Sequence, residues 1–326
     1  MTPSLVDTDC QFEYYQVQLS VPNACVRPGS ASFDFQYKLL LEEIHKRGQP
    51  RCNKKGPSIT LRSWFGLEVD LSDSSNDNDG LGKYLLPLTT LRSLYGGWNT
   101  IVEAIFYLRG ENNISFLQKF GCKFWDKQAD ANGFIGYNYG LLTCFPQSDG
   151  TRPVNQLETK VISKLVNGEC SRNMVCALLK PGELTNQEAC TASVQFSVST
   201  EKAIEVLDIT VNQRSSDVMI GLPHDVCCWS VILHLVRREV YRRCGRLLAA
   251  GKVFFVIAAG GAHVYDANKE SFEKLRTRDP YLDVSPELII KTGRGIFEMA
   301  QNFEREMVQV NGYHPHHRAI KIEQVV

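Results

Sequence analysis

Apolar residues recur at helical spacing in three segments of the chain. The first repeat starts after Ser32 and stops at Gly48, a residue type common just past helix ends. The second, Trp98 to Leu108, is apolar on nearly every face, which predicts a buried helix. The third covers residues 156–166. The apolar stripes of the first and third helices are Phe33, Tyr37, Leu40, Leu41 and Ile44, then Leu157, Val161, Ile162, Leu165 and Val166.

Strand-like runs fall later, at residues 174–179, 193–200, 203–211 and 252–261, and a helix-like apolar run covers 227–236. Residues 51–66 predict a basic turn followed by a strand. Helices and strands are mixed without regular alternation, which predicts one α/β (α+β) domain. We place that domain at residues 32–326, after an N-terminal extension at 1–31, with a polar surface insertion at about 72–82.

Composition excludes some classes of protein. The 326 residues include 36 Lys plus Arg and 36 Asp plus Glu, so no overall charge excess favours nucleic acid or an anionic membrane. No apolar run is long enough for a membrane span, and the first residues lack a basic start and an apolar signal core. We therefore expect a cytoplasmic, soluble protein.

Two residues raise questions of chemistry. Eleven cysteines are scattered along the chain, and most are expected to be reduced core residues, yet Cys190 in "EACTASVQF" precedes a strand. Glu103 is a lone carboxylate in the buried helix, so it is paired, protonated or functional. The polar stretch 212–226, between a strand and the apolar run, is typical of a ligand site.

Eight segments, in order from about Phe35 to Val326, resemble the thymidylate synthases and the related pyrimidine-nucleotide hydroxymethylases. The resemblance implies a large mixed β-sheet packed by helices, through which two subunits form a homodimer with shared active sites. The segments are LPLTTLRS, EAIFYLRGENNI, KFWDKQADANGFIGYNYG, SRNMVCALLKPGEL, ACTASVQFSV, NQRSSDVMIGLPHD, GGAHVYDAN and VNGYHPHHRAIKIEQVV.

The resemblance also implies roles for catalytic residues. Cys190 is the nucleophile that adds to C6 of the pyrimidine, Glu103 organises water and proton transfers, and Tyr139 lies near the C5 proton. A thiolate is the attacking species, and a neighbouring guanidinium such as that of Arg214 lowers a thiol pKa.

Binding residues follow from the same resemblance. Arg214 and Ser215 bind the 5′-phosphate, and His263 and Tyr265 hold the 3′-hydroxyl. The remaining nucleotide residues are Gln213, Arg172 of the partner subunit, and Lys54 or Lys55. The one-carbon donor is 5,10-methylenetetrahydrofolate, and its side of the cleft has Trp125, Asp217, Gly221 and Val326. Trp125 is alternatively a core residue. No metal is expected, because the resemblance makes the histidine-containing segment 314–317 a structural C-terminal turn.

Departures from the synthase pattern favour a cytidylate hydroxymethylase. Synthases have GLPFN where this chain has GLPHD, so Asp225 replaces an asparagine and suits the N4 amino group of cytosine. Asp225 is alternatively a cap for a helix beginning near Val226. Two further departures also favour a cytidylate hydroxymethylase, namely Thr191 after the cysteine and Gln128 in place of a tryptophan. Phage-type deoxycytidylate hydroxymethylases resemble this chain in having the Cys-Thr pair.

The predicted reaction converts dCMP, or alternatively CMP, with methylenetetrahydrofolate and water to the 5-hydroxymethyl nucleotide and tetrahydrofolate. One competing hypothesis is a methylating enzyme, either a thymidylate synthase or a dCMP methylase, which uses hydride from the folate. A second is an inactive relative that acts as a binding protein. Two departures weaken the phosphate site, since Asn173 replaces a second arginine and the synthase phosphate loop has no clean match.

Overall fold

A computed structural model describes residues 29–73, 81–136, 138–179 and 189–325. Most of the predicted extension at 1–31, most of the predicted insertion at 72–82, and Val326 therefore lie outside the described residues. Within the described ranges, no helix is both long enough and apolar enough to cross a bilayer.

The first helix confirms its predicted stripe. Helix α1 spans Ser30–Arg47, and its five stripe residues are each at most 1% exposed. It begins two residues before the predicted domain boundary, and Gly48 ends it by donating its N–H to the carbonyl of Ile44. Instead of a turn and one strand, the next segment forms a hairpin of β1, Gln49–Asn53, and β2, Gly56–Thr60, followed by β3, Phe65–Asp70.

A five-stranded mixed sheet forms the centre of the molecule, in the order β3-β8-β6-β5-β4. The β6–β8 pair is parallel and the other pairs are antiparallel. One face is apolar and buried, with Phe196, Ile209 and Phe255 unexposed. The four further strands are β4 Val175–Ala177, β5 Thr191–Glu201, β6 Ile204–Gln213 and β8 Ala249–Ile257.

Two smaller sheets complete the β-structure. A four-stranded sheet has the order β1-β2-β9-β7, and β10 pairs with β11. His263 and Tyr265 lie on β9. The strands are β7 Ser216–Asp217, β9 Ala262–Tyr265, β10 Glu287–Ile290 and β11 Val308–Asn311.

Two helices form the interior beside the sheet. Helix α2, Trp98–Arg109, confirms the predicted buried helix and ends at Gly110 in the left-handed conformation. Helix α5, Gly221–Cys244, begins before the predicted apolar run. The predicted third helix starts as a π-helix at Leu157–Ile162. The other helices are α3 Ser115–Lys119, α4 Ser163–Val166, α6 Lys269–Arg276 and α7 Ile296–Gln301, with short 3-10 turns at Tyr95–Gly97, Tyr139–Leu142, Asp266–Asn268 and Arg305–Met307.

Pairing of β5 with β6 brings the candidate site together. Thr191 lies opposite Gln213, and a register shift follows Thr191. Beyond the ladder, the N–H of Arg214 donates to the carbonyl of Cys190 at 2.9 Å. The beginning of β5 and the end of β6 therefore meet at the same end of their strands, next to the N-terminus of α5.

Candidate active site

Cys190 lies half-buried just before the first residue of β5, beside Arg214. The Nε of Arg214 donates to the carbonyl of Ala189 at 3.0 Å. Burial raises the pKa of the Cys190 thiol to about 11, and the nearby Asp225 adds to the rise. Arg214 and Lys55 oppose it. Arg214 therefore lowers the thiol pKa, as predicted, but in the chain alone desolvation outweighs the positive charges and the pKa of Cys190 stays raised.

Glu103 lies on α2 and is 6% exposed. Trp125 Nε1 donates to Glu103 Oε1 at 2.7 Å, a contact between two candidate residues that the sequence did not reveal. Burial raises the pKa of Glu103 to about 7, and the Trp125 hydrogen bond limits the rise. The lone carboxylate of the sequence is thus both hydrogen-bonded and able to exchange a proton near neutral pH.

A thiol that the sequence did not single out also faces Glu103. Cys228 Sγ lies 3.2 Å from the carbonyl of Thr100 and 3.9 Å from Glu103 Oε2. Because a thiol has one proton and the Thr100 contact is shorter, the S–H donates to Thr100. Cys228 lies one helical turn after Asp225 on α5, and that spacing was the available signal.

Tyr139 begins a 3-10 turn that Asn138 holds, since the Asn138 side chain accepts the N–H of Gly140 at 2.8 Å. The Tyr139 ring stacks on Tyr107, with centroids 4.2 Å apart and an angle of 11°. Burial raises the pKa of Tyr139 well above its usual range, with the charges of Asp225 and Cys190 contributing. The phenol is therefore a neutral hydroxyl in a pocket shared with Cys190 and Asp225.

Asp225 lies inside the first turns of α5 and is 8% exposed. The alternative that it caps a helix beginning near Val226 is wrong, because the helix begins at Gly221. Gln213 Nε2 donates to Asp225 Oδ2 at 2.6 Å. Burial raises the pKa of Asp225 well above its usual range, and Glu103 adds to the rise while Gln213 opposes it.

The predicted sugar residues lie on β9. The carbonyl of Gly261 can only accept a hydrogen bond, so His263 Nδ1, 2.8 Å away, donates to it. The rings of His263 and Tyr265 meet edge to face with centroids 5.0 Å apart. Asp217 is opposite His263 in the parallel β7–β9 pair, and its Oδ1 accepts the N–H groups of Met219 and Ile220 just before Gly221.

The predicted basic residues separate into two groups. Lys55 and Arg214 are close enough to Cys190 to oppose the rise of its pKa, and Lys54 is exposed next to Lys55 in the β1–β2 turn. Arg172 is also exposed, and its carbonyl accepts from Gln195, five residues along β5 from Cys190, which is about 17 Å of strand. Within one subunit, Arg172 therefore does not join the site.

Several buried polar atoms in this region have no hydrogen-bond partner among the described residues. They include Gln213 Oε1, Ser216 Oγ and His224 Nδ1. Buried polar groups are nearly always paired, so unpaired atoms gathered beside Cys190, Ser215 and Asp225 suit a polar ligand. Trp125 and Phe124 are half-buried, which suits contact with a flat aromatic molecule.

The site combines a thiol, two buried carboxyls and a tyrosine with neighbouring basic residues and a strand that carries His and Tyr, which are groups suited to nucleophilic and acid–base chemistry. The sequence matches the family described as thymidylate synthase over residues 35–326, and the chain belongs to the thymidylate synthase family. Members of that family transfer a one-carbon unit from methylenetetrahydrofolate to a pyrimidine nucleotide. The individual residue roles implied by the resemblance stay predictions.

Proposed function

We propose that the protein is a cytidylate 5-hydroxymethyltransferase acting on dCMP, or on CMP, and that it releases 5-hydroxymethyl-dCMP and tetrahydrofolate. The hydrogen bond from Gln213 to the buried Asp225, with the raised pKa of that carboxyl, is the observation that carries the proposal. It supports a carboxyl beside the base whose protonated form is favoured by burial.

Cytosine benefits from such a group more than uracil does. A carboxyl oxygen of Asp225 accepts a hydrogen bond from the N4 amino group in either protonation state. Cytosine N3 has a basic lone pair that can receive the Asp225 proton, which makes C6 more electrophilic, whereas uracil N3 already carries a proton. Asp225 in this environment therefore favours cytidylate both by hydrogen bonding and by activation of the ring.

The chain's own residues can then carry the steps on the nucleotide. Cys190 adds to C6, and because burial raises its pKa, addition benefits from the N3 proton and from the positive charges of Arg214 and Lys55. We assign Tyr139 to the C5 proton, and Glu103, with its pKa of about 7, to the orientation of water. The folate donor supplies the one-carbon unit and, in a methylating enzyme, the hydride. His263 and Tyr265 are the candidates for the sugar.

We infer a homodimer as part of the same proposal. On the face of the five-stranded sheet opposite the buried one, Val256 is 38% exposed, and it lies opposite Asn212 in the ladder. Packing two such faces would cover that surface and bring Arg172 of the partner subunit toward the phosphate. A fully active monomer in dilute solution would contradict this part of the proposal.

Product analysis tests the proposed reaction. Purified protein is incubated separately with dCMP, CMP and dUMP plus methylenetetrahydrofolate, and the nucleotide mass and the dihydrofolate absorbance are recorded. We expect dCMP, or CMP, to gain a hydroxymethyl group without dihydrofolate. Reaction of dUMP alone, with dihydrofolate, would instead show a thymidylate synthase, and methyl-dCMP with dihydrofolate would show a dCMP methylase. Inertness of all three nucleotides would favour a binding protein.

A further inference from the structure

His224 lies in the first turns of α5, directly before Asp225, and is 3% exposed. Its Nδ1 is buried and has no hydrogen-bond partner within the described part of the chain. Nearly all buried polar atoms in folded proteins are paired, and an unpaired one at a functional cleft is a sign that something polar binds there. No role for His224 is predicted from the sequence.

The imidazole of His224 is neutral. Burial holds its pKa well below the usual range, and the positive charge of Arg92 acts in the same direction. A neutral ring has one N–H donor and one lone pair. Water can form a hydrogen bond with Nδ1 in either tautomer, because water is both a hydrogen-bond donor and an acceptor.

Neighbours of His224 in the fold and in the chain connect it with both buried carboxyls. Its ring meets Phe124 edge to face, with centroids 4.4 Å apart and an angle of 70°. Phe124 precedes Trp125, whose indole donates to Glu103, while Asp225 follows His224 on the helix. The carbonyl of Phe124 also accepts from Gln324 near the C-terminus at 2.6 Å. His224 and Phe124 therefore form one packed wall, next to the hydrogen bond from Trp125 to Glu103.

In the synthase motif GLPFN, phenylalanine stands where this chain has His224. A phenylalanine makes that wall apolar, whereas an imidazole adds a hydrogen-bonding atom at the same place. The change is adjacent to Asp225, the residue that distinguishes cytosine in the proposed function. Of these two neighbouring departures, Asp225 therefore concerns which base is bound, and His224 concerns which nucleophile, water or hydride, ends the reaction.

We propose that His224 is a specificity-determining residue that holds, through Nδ1, the water that adds to the exocyclic methylene of the Cys190-bound nucleotide. This inference rests on the proposed hydroxymethylation. By keeping water beside the methylene, His224 favours a hydroxymethyl product over the methyl product that hydride transfer would give.

The step balances without any additional reagent. The water oxygen forms a bond to the methylene carbon and loses one proton, and the electrons of the exocyclic double bond move into the ring. They return to form C5=C6 as the bond from C6 to Cys190 Sγ breaks, and the thiolate takes up a proton. The competing step moves a hydride to the methylene and oxidises the folate by two electrons, which gives dihydrofolate.

The test replaces His224 and measures the ratio of products. His224→Phe removes the hydrogen-bonding atom, and His224→Asn is the matched control that retains a polar atom near Nδ1. With dCMP and methylenetetrahydrofolate, we expect the Phe variant to raise the methyl fraction at least tenfold, with dihydrofolate in equal amount. The Asn variant should keep mainly the hydroxymethyl product. If the Phe variant does not fold by circular dichroism, His224→Leu serves the same comparison.

A second readout does not depend on turnover. Calorimetry with tetrahydrofolate in the presence of dCMP should give Kd values for the Phe variant within about threefold of the unchanged protein. An unchanged product ratio in the Phe or Leu variant would overturn the inference, as would a tenfold loss of tetrahydrofolate binding, which would make His224 a folate contact. A wild-type protein that itself makes methyl-dCMP or thymidylate would refute the proposed function instead, so the two failures are distinguishable.

Discussion

Asp34 and Asp225 are both buried carboxyls, and they differ in how many hydrogen bonds they accept. Asp34 on α1 is unexposed and accepts three hydrogen bonds, from Thr89 Oγ1 at 2.5 Å, from Thr90 N at 2.8 Å and from Thr90 Oγ1 at 2.5 Å. Asp225, also buried, accepts from Gln213 only among the residues that the structure describes. The same chemical group is an anchor in one region and an underpaired acid in the other.

The surroundings explain the difference. Thr90, which binds Asp34, also accepts the N–H of Tyr281 through Oγ1 and the N–H of His316 through its carbonyl, so this cluster joins α1 to C-terminal segments. Its hydrogen bonds oppose the effect of burial, and the pKa of Asp34 rises only to about 6. At Asp225 burial is opposed by one hydrogen bond and reinforced by Glu103. Underpaired buried carboxyls thus indicate chemistry, and fully paired ones indicate structure.

The largest effect is expected from Asp225→Asn. Loss of the transferable proton should lower kcat/KM for dCMP by about 1000-fold, about 4 kcal/mol of transition-state stabilisation, and should raise the relative activity with dUMP. Steady-state kinetics with both nucleotides measures the change. Asp34→Asn is the matched control and should leave the nucleotide preference unaltered. An Asp225→Asn enzyme with the original preference would contradict the assignment of base recognition.

Asp34→Ala should have the larger effect on stability. It leaves the Thr89 hydroxyl and two Thr90 donors buried without their acceptor, and we expect a loss of about 3 kcal/mol in the free energy of unfolding. Asp225→Asn should change that free energy by less than about 1 kcal/mol, because a neutral acid is replaced by a neutral group of similar shape. Urea unfolding compares the two. Equal losses would remove the distinction between anchor and active group.

Glu103→Gln should lower kcat by about 100-fold, or about 2.7 kcal/mol, and remove a pH dependence. Since the pKa of Glu103 is about 7 and water activation needs the carboxylate, kcat in the unchanged enzyme should rise with pH through about 7 and then level off. The Gln variant should lack that limb. Glu111→Gln, at a partly exposed ion pair with Arg109, is the control and should retain it. A limb that persists in Glu103→Gln would assign it to another group.

The last effect, which is spread over a range of pH, concerns stability. The folded-state pKa of Asp34 is about 6, above its value of 3.8 without burial, so the folded protein binds this proton more tightly than the unfolded chain. The resulting stabilisation is complete below about pH 4 and is lost as the pH rises through about 6, for a total of about 3 kcal/mol. Urea unfolding at several pH values should show this loss, and Asp34→Asn should show less of it. Identical slopes would refute the contribution of Asp34.

The sequence predicted local features well where a repeat was strong. The buried helix of Glu103 and the strand after Cys190 follow from periodicity, which reports which faces are buried. The start of α5 was placed too late, although Pro223 is a signal for a first helical turn, where its missing N–H has no partner to lose.

Contacts between distant segments could not be predicted in this way. The hydrogen bond from Trp125 to Glu103 joins residues 22 positions apart, and the Gln213–Asp225 bond joins a strand to a helix. The pKa of Cys190 depends on how much water the folded chain removes, which one neighbouring arginine in the sequence does not reveal. The order of the motifs along the chain predicted the candidate site residues. Which of these residues have few hydrogen-bond partners became visible only in the fold.

The most direct measurement of the proposed activity is the mass of the nucleotide formed from dCMP in water enriched in oxygen-18. The reaction with methylenetetrahydrofolate is stopped after one turnover, and the dihydrofolate absorbance is read in the same sample. Hydroxymethylation predicts a product that carries one oxygen from the solvent, without dihydrofolate. A methylated product that carries no solvent oxygen, with an equal amount of dihydrofolate, would contradict it.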